Sequence, residues 1–362
     1  MNKIADKIFK SLIAGSLCLS ACMATSCQPS ARETAVTWND TLQLPPAPGD
    51  SVNIGVAGAF AGICGKTLMV AGGANFPDGF PWTGAKKVWH RTLYSYDFST
   101  EKWSVYPDFL PEPLAYGVSI PQPEGIMLIG GNNADGGSRA VYMLSEKDGR
   151  PELRSDIYPE LPFPLANSAG ALVGTKVFLA GGICSDSVEC ASHAFVMLDT
   201  ERKEAGWQIL PPWPGPELGF SVAAAAGGKF YMFGGRNFGP GKEIEISTAG
   251  FVYDPASGEW STLRGDFPVM AATALNFDGD IWLFGGVEKI LSADPQHPGF
   301  SHMLRRYNPS TGELTDVCES PYPLAVTTTA VAASDSSAII ASGEVRPGVR
   351  TPLVLQCTIR NN

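Results

Sequence analysis

The sequence of 362 residues predicts an all-β fold, a closed β-propeller of six blades formed by residues 36–362. Three observations predict it. A short apolar run ending in a glycine pair recurs along the chain, the repeats lie 51 to 58 residues apart, and a segment near the N-terminus can supply the one strand that the last repeat lacks. The runs end at Gly73, Gly131, Gly182, Gly235, Gly286 and Gly343, with serine in place of the first glycine in the last run.

Each repeat has the same internal order. A strand of small residues, such as SVAAAAG from Ser221, is followed by a tight turn and by the apolar strand that ends in the glycine pair. A loop leads to a third strand such as FVYDP from Phe251, and a fourth strand carries Trp103, Trp207 or Trp260. Short alternating strands separated by Gly and Pro turns predict four-stranded antiparallel blades, and a period of about 50 residues is typical of kelch repeats. We expect the tryptophans to pack between blades.

The ring must close, because an open array of sheets exposes unpaired strand edges. The last repeat, from Val326 to Thr358, contains three strands, whereas the segment 36–43 (VTWNDTLQ) resembles a fourth strand without a blade. We therefore predict that this N-terminal strand completes blade six.

The first 21 residues predict a signal peptide of the lipoprotein type. Lys3, Lys7 and Lys10 precede a short apolar run that ends at Ala21, and Leu19-Ser20-Ala21-Cys22 has the pattern of a lipobox. We expect export to the periplasm or cell envelope with a lipid anchor on Cys22, Cys27 being the weaker candidate, and a linker over residues 22–35. An ordinary signal peptide with incidental cysteines is the alternative.

Charge and cysteine content restrict the partners. Without residues 1–21 the chain keeps 23 basic and 35 acidic residues, a formal charge of −12, which argues against nucleic acid and against direct contact with anionic membranes. Cys184 and Cys190 could form a disulfide or remain free thiols. No Cys or His pattern predicts a metal site, and no cofactor is expected. The sequence leaves the oligomeric state open.

The loops that follow the glycine pairs are predicted to surround one mouth of the central channel. Residues at the first or second position of these loops come from six blades and are mostly polar, as a small polar ligand requires. They are Asn75, Asn132 with Asn133, Cys184, Arg236 with Asn237, Glu288 and Glu344. The alternative for each one is a residue that merely caps a turn.

Two of these loops have unusual sequences. The loop between Gly73 and Thr92 is 18 residues long and contains Lys87 and Trp89, and loops of this length are often functional. The segment GEVRPGVRT places Glu344 and Arg350 six residues apart across a Pro-Gly turn, which could direct both side chains to one centre. The alternative for the long loop is a lid that only packs on the propeller. The alternative for Glu344 and Arg350 is an ion pair on the surface.

These stretches resemble a known family. GAFAGICGKTLMVAGGANF, GAKKVWHRTLYSY, AYGVSIP and GEVRPGVRT are similar to segments of the N-acetylneuraminate epimerases, or sialic acid mutarotases, and in particular to their cyclically permuted subgroup. In the founding members the segment similar to GEVRPGVRT comes earlier in the chain, whereas here it comes last. Over 161–323 the similarity is that of kelch repeats in general.

The resemblance implies a mutarotase that interconverts the α and β anomers of N-acetylneuraminate without a metal or cofactor. It implies that Glu344 and Arg350 are the catalytic pair. The sugar carboxylate would bind Arg350, with Arg236 as second choice, and Asn75, Lys87, Trp89 and Asn132 would contact other groups of the substrate.

Other functions remain open from the sequence. They are a non-catalytic kelch module that binds glycan or protein, and a mutarotase of a sugar without a carboxylate. A copper oxidase is disfavoured because the histidines do not recur in equivalent loops, and a sialidase because Ser-x-Asp-x-Gly-x-Thr-Trp boxes are missing.

Overall fold

The computed structural model describes residues 34–184 and 188–361 and confirms the six-bladed propeller. Each blade is a four-stranded antiparallel sheet, and in blades one to five the strands pair in chain order from the axis outward. The strands of blades one to three are Phe60–Cys64, Thr67–Ala71, Leu93–Asp97 and Lys102–Tyr106; Val118–Gln122, Gly125–Ile129, Val141–Lys147 and Arg150–Arg154; and Ala169–Val173, Lys176–Ala180, Phe195–Asp199 and Gln208–Ile209.

Blades four and five repeat this order, and blade six takes its outer strand from the N-terminal segment. Their strands are Val222–Ala226, Lys229–Phe233, Gly250–Asp254 and Glu259–Thr262; Thr273–Phe277, Asp280–Phe284, Met303–Asn308 and Glu313–Glu319; and Ala330–Ser334, Ser337–Ala341, Leu353–Asn361 and Thr34–Gln43.

The predicted closure of the ring is confirmed. Thr34–Gln43 pairs antiparallel with Leu353–Asn361, with Trp38 opposite Cys357 and a register shift between Asn39 and Leu42. The strand begins at Thr34, so residues 34 and 35, placed in the linker by the sequence, already belong to blade six. The signal segment 1–21 and the anchor Cys22 lie outside the described residues and stay predictions.

Apolar side chains on the second and third strands fill the space between neighbouring blades. Thr67–Ala71 and Gly125–Ile129 are buried along their whole length, as their continuous apolar runs predict. The indole nitrogens of Trp207 and Trp260 donate to the carbonyl oxygens of Pro159 and Pro211, in the connections that enter blades three and four. These two tryptophans therefore join successive blades, in agreement with the prediction.

The glycine pairs mark a close approach of one blade to the next. Gly72 has φ +69°, and a Cβ there would lie 2.3 Å from the carbonyl oxygen of Leu114 in the connection to blade two. The same oxygen accepts a hydrogen bond from the amide of Gly73, at 2.8 Å. In blade six Ser342 stands where the other repeats have the first glycine. Its hydroxyl accepts a hydrogen bond from the amide of Val56 and lies within donating distance of the carbonyl oxygens of Val56 and Thr351.

A belt of six backbone hydrogen bonds encircles the channel. One residue per blade, near the start of the innermost strand, donates its N–H to the carbonyl of the equivalent residue in the preceding blade, at 2.6–2.9 Å. The donor and acceptor pairs are Gly58 to Thr327, Tyr116 to Gly58, Asn167 to Tyr116, Phe220 to Asn167, Ala271 to Phe220 and Thr327 to Ala271. All six have positive φ. The belt is continuous only because the ring is closed.

Short hairpins project beyond the belt from four of the loops that follow the glycine pairs. They are Ala74–Asn75 with Val88–Trp89, Asn132–Asn133 with Gly136–Gly137, Arg236–Asn237 with Glu245–Ile246, and Glu344–Arg346 with Val349–Arg350. Among the described residues, 3-10 helices are formed by Pro81–Thr83 and Thr200–Ala205. In the described part of the chain, no helix is long and apolar enough to cross a membrane.

Candidate active site

A cavity of about 230 Å³ lies at the end of the channel where these hairpins emerge. Its walls come from blades one, two, three, four and six, and its charged residues are Lys87, Glu189, Arg236, Glu344 and Arg350. Four residues of the hydrogen-bonded belt also contribute, namely Tyr116, Asn167, Phe220 and Thr327. A second cavity, of about 370 Å³, is formed by the inner strands further along the channel and is lined by small and apolar residues, with no ionisable side chain among them. The first cavity is therefore the candidate active site, because charged side chains from several blades meet there beside the belt.

The register of each hairpin decides which polar residue faces the cavity. The residue directly after each glycine pair bridges back to the residue before the belt position. In blades two, four and six this first residue is Asn132, Arg236 or Glu344, and all three line the cavity. The second residue of each loop, which includes Asn133, Asn237 and Glu288, is not among the lining residues. Side chains alternate along a strand, so only one of two neighbours can face the axis.

Glu344 and Arg350 lie opposite each other on one hairpin, as the sequence predicted from their spacing. Oε1 of Glu344 accepts a hydrogen bond from the amide of Gly348 at 2.5 Å and lies 3.4 Å from Nη1 of Arg350. The contact with Arg350 is an ion pair without hydrogen-bond geometry, because Nη1 has no hydrogen-bond partner in the described residues. No partner is found for Oε2 of Glu344 in the part of the chain that the structure covers, so this oxygen is available to a ligand.

Arg350 is buried and held in place by several protein groups. Its side chain is 3% exposed, its Nε donates to the carbonyl of Ala74 at 3.3 Å, and its guanidinium lies 4.7 Å above the ring of Phe76. Its neighbours therefore hold it beside Glu344 and leave little freedom to turn toward a ligand.

Arg236 has a different environment. Its guanidinium lies between the rings of Phe220 and Phe238, 4.4 and 4.6 Å from their centroids, and its Nε is buried without a partner among the described residues. Burial lowers the pKa of Arg236, and the charge of nearby Glu189 opposes this shift. Arginine nevertheless stays protonated in proteins. The site thus contains a desolvated cation without a hydrogen-bonded carboxylate.

Asn132 and Lys87 line the cavity, whereas Trp89 lies behind Asn132. The indole nitrogen of Trp89 donates to Oδ1 of Asn132 at 3.1 Å, which leaves the amide nitrogen of Asn132 as the donor for a ligand. The ammonium of Lys87 lies 5.4 Å from the ring centroid of Trp89 and 5.1 Å from that of Tyr116. Trp89 therefore orients the residues that line the cavity instead of lining it itself.

Asn75 is not brought to the cavity. It is 7% exposed, its amide nitrogen donates to the carbonyl of Gly55 at 2.9 Å, and its Oδ1 lies 2.8 Å from Nε2 of His90. Nε2 of His90 donates this hydrogen bond, because an amide oxygen can only accept, and burial lowers the pKa of His90. Both polar ends of the Asn75 amide are thus used inside the protein, and its contacts are structural.

Several lining residues were missed from the sequence, among them Phe76, Glu189 and the four belt residues. The sequence does mark the belt residues, since most lie two positions before a strand of small residues, but their position on the axis depends on ring closure.

All five cysteines of the described residues, including Cys184 and Cys190, are free thiols. Burial raises the pKa of Cys184, and raises that of Cys357 to about 12. Within residues 34–184 and 188–361 no cluster of His, Cys, Asp or Glu could hold a metal ion.

Fold and site together define a six-bladed kelch propeller with a charged cavity for a small molecule on its axis. Residues 12–151 and 158–295 match the family model described as N-acetylneuraminate epimerase. The chain belongs to the N-acetylneuraminate epimerase family. The matched residues end before the hairpin of Glu344 and Arg350, so the case for that pair depends on its geometry and on the motif.

Individual relatives bear the same name. The N-acetylneuraminate epimerase of Brucella melitensis biotype 1 is 36% identical over 128 residues, which cover 33% of this chain and 32% of the relative. That of Yersinia pestis (strain Pestoides F) is 38% identical over 123 residues, 31% of each chain, and that of Yersinia enterocolitica is 35% identical over 136 residues, 35% and 34%. The chain thus aligns with about a third of the length of these curated relatives. Their names describe enzymes of the isomerase type.

Proposed function

We propose that this protein is a mutarotase that interconverts the α and β anomers of N-acetylneuraminate. The observation that carries the proposal is the state of Glu344: one carboxylate oxygen is held by Gly348 and Arg350, and the other has no partner in the described residues. A carboxylate fixed in this way beside a charged cavity is suited to act as a general base. The family membership supports the choice of substrate.

The reaction needs proton transfers and no redox step. Glu344 takes the proton of the anomeric hydroxyl while the bond between the anomeric carbon and the ring oxygen breaks, and the ring oxygen takes a proton from solvent. The open-chain keto form then rotates about its carbon–carbon bond, and the reverse transfers close the ring on the other face. Glu344 contributes on the order of 10²–10⁴-fold as the base. Arg350, 3.4 Å away, orients Glu344.

We assign the carboxylate of the sugar to Arg236. The resemblance favoured Arg350 for this role, but Arg350 is already engaged by Glu344, Ala74 and Phe76. Arg236 contacts the rings of Phe220 and Phe238 but has no paired carboxylate among the described residues, and a guanidinium binds a carboxylate through two parallel hydrogen bonds. A mutarotase for a neutral sugar would not need this desolvated cation, which favours a sugar acid. Lys87 and the amide nitrogen of Asn132 would contact hydroxyl or N-acetyl groups.

Proton NMR of the α anomer freshly released by a sialidase tests the proposal. We expect the mature chain at micromolar concentration to accelerate the appearance of the β anomer, and Glu344→Gln to slow this by about 10²–10⁴-fold. Glu259→Gln, at an exposed position on the outer strand of blade four, is the matched control and should leave the rate unchanged. No acceleration by the wild-type protein would refute the mutarotase. Full activity of Glu344→Gln would move the base elsewhere.

A further inference from the structure

The hairpin that carries Glu344 and Arg350 is held by a loop from another blade. Its tip, Gly348, lies against Pro81 of the long blade-one loop. The guanidinium of Arg346 lies 5.8 Å from the ring centroid of Trp82, and that of Arg350 lies over Phe76. The blade-one loop therefore contacts the hairpin at three points, so the position of the carboxylate depends on packing across the junction of blades one and six.

Gly348 both donates its amide to the carboxylate and fits closely against Pro81. Its amide donates to Oε1 of Glu344, and its φ of +76° suits glycine. A Cβ at this position would lie 2.3 Å from Cγ and 2.4 Å from Cδ of Pro81, well inside contact distance. Because Pro81 is rigid and begins the 3-10 helix Pro81–Thr83, it cannot yield as a flexible side chain would.

We propose that Gly348 is a positioning residue for Glu344, and that Pro81 sets the position of Gly348. Close seating of the hairpin tip on Pro81 places the Gly348 amide where it holds Oε1, which leaves Oε2 directed to the substrate. The consequence for catalysis rests on the proposed function, but the geometric relation does not. Gly348 touches no reacting atom and acts through the orientation of Glu344.

The test is a pair of substitutions with a matched control. In Gly348→Ala the new methyl group displaces the hairpin tip, and we expect kcat to fall by about 10- to 100-fold while KM changes by less than about 3-fold, since a shift of about 1 Å at a reacting group has this effect. Pro81→Gly in the same chain removes the obstruction and should restore most of kcat. Gly312→Ala is the control: Gly312 has φ +74°, and a Cβ there meets nothing within 4 Å, so only the backbone cost is reproduced. This control should keep full activity.

Crystal structures of the same variants separate this inference from the proposed function. In Gly348→Ala the distance from the amide of residue 348 to Oε1 of Glu344 should exceed 3.5 Å, and it should return in the double variant. An unmoved Glu344 in Gly348→Ala, or no recovery with Pro81→Gly, would overturn the inference whatever the activity of the wild-type protein. If the wild type is inactive but these distances change as stated, the mutarotase fails and the positioning relation stands.

Discussion

Arg236 and Arg350 are both largely buried cations at the same cavity, yet they are suited to different tasks. Arg350 is ion-paired with Glu344 and donates through Nε to Ala74, although its Nη1 is also buried without a hydrogen-bond partner among the described residues. Arg236 is flanked by two aromatic rings and has a buried Nε without a partner in the described residues. Burying an ionised group without hydrogen bonds is costly, and a ligand carboxylate would relieve that cost. The two arginines thus differ in their partners, because Arg350 faces Glu344 whereas Arg236 has no paired carboxylate among the described residues.

Substitution of Arg236 should weaken binding more than it slows the chemical step. A hydrogen bond to a charged group is worth about 1.5–3 kcal/mol, so Arg236→Ala should raise the dissociation constant of N-acetylneuraminate by roughly 10- to 150-fold. Isothermal titration with Glu344→Gln as the background measures binding without turnover. Arg154→Ala, which removes an exposed arginine paired with Asp156, is the charge control. Equal affinity for the sugar and its uncharged amide derivative in the Arg236-containing protein would contradict the assignment.

The belt is the element that joins the fold to the site. Five of its six members are not glycine although all have positive φ, and for Tyr116, Phe220 and Thr327 this conformation is strained. Strain of this kind persists where the surrounding structure imposes it and is concentrated at functional sites. Tyr116, Asn167, Phe220 and Thr327 line the cavity, so their side chains explain why these positions are not glycine. Ala271 is a belt member without such a role in that cavity.

Ala271→Gly should therefore stabilise the propeller. The left-handed conformation costs an L-residue about 1–2 kcal/mol, and glycine loses about 0.5–1 kcal/mol through its greater unfolded-state entropy, so we expect a net gain of about 0.5–1 kcal/mol. Ala272→Gly, at the next position, where φ is not positive, should instead destabilise by about 0.5–1 kcal/mol. Urea midpoints at constant m-value measure both changes. A lower midpoint for Ala271→Gly would show that its φ carries no strain.

At the scale of the whole molecule, sequence patterns predicted the features that depend on a single repeat. They did not predict side-chain positions that are set by packing between segments distant in the chain. The missing fourth strand of the last repeat was enough to identify the closing strand, and the spacing of Glu344 and Arg350 was enough to pair them. The sequence could not tell that Asn75 faces inward to Gly55 and His90, because that depends on the register of a two-residue hairpin. Nor could it predict that Gly348 meets Pro81, since these residues are far apart in the chain and meet only across the closed junction.

The same junction makes the N-terminal strand a condition of the site. A chain that begins at residue 44 loses the pairing of Thr34–Gln43 with Leu353–Asn361 and the packing of Val36, Trp38 and Leu42 on the clusters beside blades six and one. Partial burial of these side chains predicts a loss of roughly 2–5 kcal/mol of unfolding free energy relative to a chain that begins at Thr34. Loosening of blade six should also move the hairpin of Glu344, so mutarotation should fall more than the folded fraction does.

Urea unfolding and the NMR rate assay, carried out on the two chains, measure these effects. A peptide of residues 34–43, added in excess to the shorter chain, should raise the unfolding midpoint and recover part of the rate, because it can occupy the exposed edge of Leu353–Asn361. A peptide of the same composition in scrambled order should do neither, because it cannot place a tryptophan at the position of Trp38 against the apolar face of blade six. Equal midpoints for the two chains would mean that the belt and the blade interfaces close the ring without the strand, and blade six would then hold Glu344 in place by itself.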